Sequence, residues 1–217
     1  MSCHFRKKIS LSWTLTKGFT LIELLISIGI ATLIFGVIVS NQATYSDGVG
    51  VSNLADEISL ALFQAQAYGI GVKELTPGSS DFSASYGLTF NIHTSGSNKD
   101  YLSFADRNDN QIYDGNWTCP IGGTSECLGK INISRGNYIS ELCRVRNNPN
   151  NPYQCSLGRI DISFVRPNTE ARLRYFNQSG NLMDEDPEFI GGRISVRSPG
   201  GATRYITIYN IGQISVN

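Results

Sequence analysis

The pattern of hydrophobic and polar positions changes character twice along the chain. From Phe19 to Val39 it is apolar all round: FTLIELLISIGIATLIFGVIV, 21 residues carrying a single charge, Glu23. As a helix this run is about 31 Å long, the thickness of a bilayer's hydrocarbon core. Residues 40–50 (SNQATYSDGVG) are polar and rich in turn formers, which predicts a loosening between a membrane half and a soluble half. From Val51 the apolar residues Val51, Leu54, Ile58, Leu62, Ala65, Gly69 and Val72 recur at helical spacing. They form one stripe of a helix over 51–72 that packs on a sheet. Pro77-Gly78 closes the helical region.

Beyond Tyr86 the period becomes two. The segments 86–92, 100–105, 130–134, 138–145, 158–166, 172–176, 192–197, 204–210 and 212–217 read as short strands separated by Gly, Asn, Pro and Ser turns. Ile211-Gly212-Gln213 reads as a tight hairpin or bulge between the last two. The predicted fold is α+β: a long N-terminal helix packed on an antiparallel β-sheet. Residues 40–217 form one globular domain.

A basic stretch, Arg6, Lys7, Lys8 and Lys17, precedes the apolar run. This places the positive end in the cytoplasm. A secretory signal peptide would have a shorter apolar region and a small-x-small cleavage site at its end. A plain signal anchor leaves Glu23 unexplained. A carboxylate costs about 2–3 kcal/mol or more at membrane depth, and such a residue is functional by default.

Lys17-Gly18-Phe19-Thr20-Leu21-Ile22-Glu23-Leu24-Leu25 resembles the processing site of type IV prepilins and type II secretion pseudopilins. The resemblance implies that residues 1–18 are a leader. It also implies that a membrane aspartyl peptidase, the prepilin peptidase, cuts between Gly18 and Phe19 and methylates the new amine of Phe19. Glu23 then lies one turn from that ammonium, where the glutamate of one subunit can pair with the ammonium of a neighbour and set axial register. The helix-kinking proline that major pilins often carry about twenty residues on is absent, since the first proline is Pro77. Gly29, Gly36, Gly48 and Gly50 are the remaining weak points. The second helical half, the acidic turn FADRNDNQIYD and the closing RYITIYNIGQISVN also resemble GspH/FimT-type minor pilins and pseudopilins. Against that pattern the cysteine-bearing stretch 115–156 stands as an insertion.

Composition narrows the classes further. The 217 residues are 17% charged, contain 22 glycines, and sum to zero net charge, which argues against a coiled coil, an acidic tail or a histone-like protein. The zero conceals segregation. Residues 1–18 carry four positive charges, 19–129 are acidic, and 130–217 are basic. With only His4 and His93, and no nucleophile–base set or nucleotide fingerprint, an enzyme is not expected.

Five cysteines are present, and Cys3 falls in the leader. The other four lie outside the cytoplasm, where disulfides form. Three pairings are open. Cys119–Cys127 and Cys143–Cys155 are preferred, because each closes a loose Gly- or Asn/Pro-rich loop and restricts the unfolded chain by about 2–3 kcal/mol. No C-x-x-C pair supports zinc.

Two further clusters have chemical readings. Asp106, Asn108, Asn110 and Asp114 have the D-x-N-x-N spacing of a calcium loop. Gln111 replaces the loop glycine, however, and Trp117 stands where a bidentate glutamate is needed. The alternative is an Asx-rich turn. Arg166, Arg172, Arg174, Arg193, Arg197 and Arg204 fall on late strands. Strand alternation puts Arg172 and Arg174 on one face, where they meet DNA phosphates or serve as an ordinary solvated face. Asp184, Glu185, Asp186 and Glu188 read as a solvated loop.

The function expected from the sequence is a minor pilin or pseudopilin. It sits single-pass in the bacterial inner membrane with its C-terminal domain outside the cytoplasm, and then enters a pilus or pseudopilus. Its expected partners are other pilin subunits, the prepilin peptidase, the inner-membrane assembly platform and, before assembly, lipid. The alternative is a DNA- or ligand-binding accessory pilin of a competence or adhesion pilus. No cofactor is expected apart from the calcium reading.

Overall fold

The structure, a computed structural model, describes residues 18–71, 74, 84–120, 122 and 125–217. The leader up to Lys17, Val72 and Pro77-Gly78 lie outside the described residues. The chain divides into two compact units, Met1–Ala43 and Thr44–Asn217. The fold is α+β, as the two periodicities predict. One helix, α1 (Leu21–Ile70), is followed by ten strands: β1 (Ser85–Asn91), β2 (Asp100–Asp106), β3 (Cys127–Asn132), β4 (Tyr138–Arg146), β5 (Tyr153–Gln154), β6 (Leu157–Phe164), β7 (Ala171–Asn177), β8 (Phe189–Arg197), β9 (Thr203–Tyr209) and β10 (Ile214–Val216).

The predicted loosening at 40–50 is not there: these residues are helical. Each glycine costs about 1 kcal/mol in a helix interior, and at the soluble end tertiary contacts offset part of that. Gly50 is buried, and a side chain there would touch Asn137 and Arg135. Asp47 lies against Gly200, where a Cβ would displace the end of its carboxylate side chain.

The strands form two five-stranded antiparallel sheets, where the sequence predicted one. The first has the order β3-β2-β1-β6-β7 and the second β10-β9-β8-β4-β5. The stretch 115–156 is built into both sheets. It supplies β3, β4 and β5, and β4 is an interior strand between β8 and β5. The two-residue β5 had no period to reveal it. Gly212 adopts a positive φ of 86° in the last hairpin, as a tight glycine turn requires.

The helical stripe is buried as its spacing demands. Val51, Leu54, Ile58, Leu62 and Ala65 join one cluster with Leu88 and Phe90 of β1, Ile160, Ile162 and Phe164 of β6, Leu142 of β4, Ile194 of β8 and Ile206 of β9. Both sheets therefore contribute to the core that covers the stripe. The backbones come closest at Gly69, where a Cβ would run into the Phe164 carbonyl oxygen and lie 2.8 Å from the Phe164 Cβ. Gln66 ties the helix to two connections by donating to the Thr169 and Gly212 carbonyls, both at 3.1 Å. A second buried cluster lies on the opposite face of the first sheet, where Leu102 and Phe104 of β2 and Cys127 of β3 meet Tyr113 and Cys119 from the segment that covers them.

These contacts separate two glycines of one helix. Gly69→Ala drives a methyl into the Phe164 backbone and is expected to lower stability by about 1–3 kcal/mol. Gly48→Ala meets nothing within 4 Å and is expected to raise it by up to about 1 kcal/mol. Thermal melts of the two variants against the parent chain check both signs.

Candidate functional site

Gly18, Phe19 and Thr20 precede the first helical residue in non-helical backbone. Phe19 is 83% exposed, and nothing lies within 4 Å of a Cβ built on Gly18. The helix begins at Leu21 because Thr20 and Glu23 form a reciprocal cap. The Glu23 amide donates to Thr20 Oγ1 (3.3 Å), while the Thr20 amide and hydroxyl donate to Glu23 Oε2 (3.2 and 3.1 Å). This is the capping box of a threonine followed three residues later by a glutamate, and it satisfies donors that a helix start leaves unpaired. The carboxylate also sits at the positive end of the helix dipole. The T-x-x-E spacing carried this signal in the sequence, and a reading of Glu23 as a charge alone passes over it. From Phe19 to Val39 the large apolar side chains are exposed, and α1 is apolar and long enough to cross a membrane.

Asp106, Asn108, Asn110 and Asp114 are brought into one loop after β2. Their oxygens and amides are engaged with the loop itself. Asp106 accepts from the Asn110 and Gln111 amides (3.3 and 2.7 Å) and from the Ser85 hydroxyl (3.2 Å). Asn108 and Asn110 both turn their side-chain NH2 to Asp114 Oδ2 (2.7 and 2.6 Å). Their carbonyl oxygens accept from the Asn110 and Ile112 amides. Asp109 and Gln111 adopt positive φ of 60° and 65°, the left-handed turns such Asx bonding supports. Two carboxylates that spacing did not single out complete the arrangement. Glu126 accepts from the Arg107 and Asp114 amides (3.2 and 2.8 Å). Burial pushes its carboxyl above the ordinary range, against those two hydrogen bonds. Its contribution to stability is therefore greatest at low pH and declines as pH rises through the raised value. Asp161, fully buried on β6, accepts the Tyr113 amide at 2.9 Å and pairs with Arg159.

The disulfides are Cys119–Cys127 and Cys143–Cys155, the two local pairings. The first pins the covering segment to β3 and the second pins β5 to β4. Among the described residues, the one trio of acidic, thiol or imidazole groups close enough to share an ion is Glu141, Cys143 and Cys155. Both of its sulfurs are consumed in a disulfide.

The late arginines do not form one groove. Arg204 donates to Ser52 of the helix (3.1 Å). Arg193 lies between the rings of Tyr153 and Tyr205, at 4.1 and 3.5 Å from their centroids, on the second sheet. Arg172 and Arg174 do share a face of β7, and both line a cleft of about 550 Å³. Each already has a carboxylate. Arg172 pairs with Glu170 at 3.6 Å, while Arg174 pairs with Glu185 and donates to Gln111 Oε1 at 3.0 Å. Glu185 is thus a partner of β7, whereas its sequence context reads as a solvated loop.

No family model, curated protein or solved structure matches the chain.

The geometry ranks the carboxylates of the loop. Asp161→Ala strands the Arg159 guanidinium and the Tyr113 amide and is expected to cost about 3 kcal/mol or more. Asp114→Ala removes an exposed acceptor of two exposed amides and is expected to cost under about 1 kcal/mol. Urea midpoints of the two variants measure the difference.

Proposed function

We infer that the chain is an assembly subunit of an extracellular or periplasmic filament, a minor pilin of a type IV pilus or a pseudopilin of a type II secretion system. The observation that carries this reading is the exposed apolar stretch from Phe19 to Val39, interrupted by one carboxylate in its first turn. Such a surface is unstable in water, because monomeric proteins rarely expose an apolar patch of this extent. Before assembly it is at home in the inner membrane, with the basic leader cytoplasmic and the globular unit outside. In a filament the same surface exchanges lipid for the apolar helices of other subunits, at little net change in burial.

Processing fits the same geometry. A protease binds its substrate in extended form, and the Thr20–Glu23 cap stops the helix two residues after the Gly18–Phe19 bond. Cutting there frees the Phe19 amine, which the same enzyme methylates. The Glu23 carboxylate, held by Thr20 in the isolated subunit, then acquires an ammonium partner from a neighbouring subunit. Taking one member of that pair away leaves the other charge buried and uncompensated.

Two measurements test the reading. Mass spectrometry of the membrane-extracted protein is expected to find a chain beginning at Phe19 and bearing one additional methyl group; a chain retaining residues 1–18 contradicts it. Glu23→Ala is expected to reach the membrane but to fall about tenfold or more in sheared filaments or pseudopili, by immunoblot. Parental amounts there contradict the assembly role.

A further inference from the structure

The terminal strand β7 has an unfilled place on its open side. In an antiparallel ladder the peptide groups of alternate residues face alternate neighbours. On β7 the odd-numbered residues turn away from β6. The Ala171 amide donates to Asn210 O (2.9 Å), Met183 N donates to Tyr175 O (2.8 Å), and the Asn177 amide donates to Asn181 O (3.0 Å). Leu173 is the odd residue between them. Among the described residues, no hydrogen bond reaches its peptide group on that side. The chain itself therefore pairs with the edge at both ends and leaves the middle open, a gap of about 13 Å at 3.3 Å per residue. The cleft of about 550 Å³ lies over this gap.

The walls of the cleft distinguish one kind of occupant. Leu173, Tyr175, Met183, Phe189 and Ile190 provide an apolar floor. Arg172 and Arg174 stand on either side of Leu173, on the other face of the strand. Behind the floor lies Arg144, 6% exposed. Its guanidinium is 4.3 Å from the Phe189 ring centroid and 5.3 Å from that of Tyr175. It donates to the Met183 sulfur, its Nε has no partner, and no carboxylate is paired with it among the described residues. A buried cation without a counter-charge is costly.

We propose that this cleft binds an extended peptide segment of another protein by strand addition to β7, and that the segment carries an apolar residue flanked by acidic ones. A residue placed opposite Leu173 exchanges two backbone hydrogen bonds with it and lays its side chain on the apolar floor. Its neighbours face Arg172 and Arg174 as cross-strand pairs. The carboxylates they displace, Glu170 and Glu185, are 53% and 74% exposed, and exposed pairs of this kind contribute little. Glu170, Asp184, Glu185 and Asp186 also line the cleft, four carboxylates against two guanidiniums, so its net charge is negative. The arginines discriminate at contact distance and do not attract from afar. The site belongs to the globular unit alone, and its success or failure is independent of the filament reading.

The test is fluorescence anisotropy with the full chain in detergent micelles and a labelled, end-blocked tripeptide, Glu-Val-Glu, which matches the three open places opposite Arg172, Leu173 and Arg174. Binding is expected, with a loss of about tenfold or more when the central valine is N-methylated, which removes one of its two backbone bonds to Leu173. Lys-Val-Lys is expected to bind about tenfold more weakly than the acidic peptide, and the double variant Arg172→Glu, Arg174→Glu to invert that order. The N-methyl control needs no change to the protein, so it reads out even if the double variant fails to fold. Equal affinity for the methylated and unmethylated peptides, equal affinity for the acidic and basic ones, or no binding at all overturns the proposal.

Discussion

Water penalises exposed apolar surface by about 25 cal/mol per Å², and α1 meets that penalty in two different ways along its length. From Val51 to Gly69 it buries one apolar stripe under strands drawn from both sheets, while Leu60 and Phe63 off the stripe stay exposed. From Phe19 to Val39 it is apolar on every side and exposed, so no single face could satisfy it. A helix hydrophobic all round belongs in lipid or among other helices. Glu23 has a local partner in Thr20, which lowers the cost of carrying a charge at the start of such a helix. The filament reading proposed above rests on this demand for an apolar environment.

The globular unit solves a different problem, which is how to cover the outer face of a sheet with an irregular segment. Residues 107–120 lay Tyr113 and Trp117 over Leu102 and Phe104. A segment without ladder bonds must satisfy its backbone in other ways. Here carboxylates do it: Asp106, Glu126 and Asp161 accept amides from Asn110, Gln111, Arg107, Asp114 and Tyr113. The Cys119–Cys127 bridge then fixes the end of the segment. Asp106 and Asp114, which share the spacing of a calcium loop, accept hydrogen bonds within this covering loop.

At β7 the same sheet stays incomplete. Turns from two distant parts of the chain, around Asn210 and Met183, close the ends of the edge and leave its middle open. Edges are usually blunted with charge, and Arg172 and Arg174 fit that role. Their alternation with Leu173 over an apolar floor also provides what a second strand would need.

Some of this was legible in the residues alone. The apolar run, the stripe from Val51, eight of the strands' alternating segments before the final turn, and the two local cysteine loops are recorded in spacings shorter than a few turns. Burial direction leaves its mark at that range, because a strand or helix repeats every two or 3.6 residues. The Thr20–Glu23 cap was equally local and lay in a spacing that the charge of Glu23 overshadowed. What only the tertiary structure decided is of another kind: helical backbone across 40–50, division of the strands into two sheets, β4 inside one of them, and the arginine partners. Arg174 meets Gln111 and Glu185, and Asp161 meets Tyr113 across 48 positions. Those pairings arise from chain crossings whose register no short-range period encodes, and a glycine such as Gly50 stays helical because of contacts made by residues far from it in sequence.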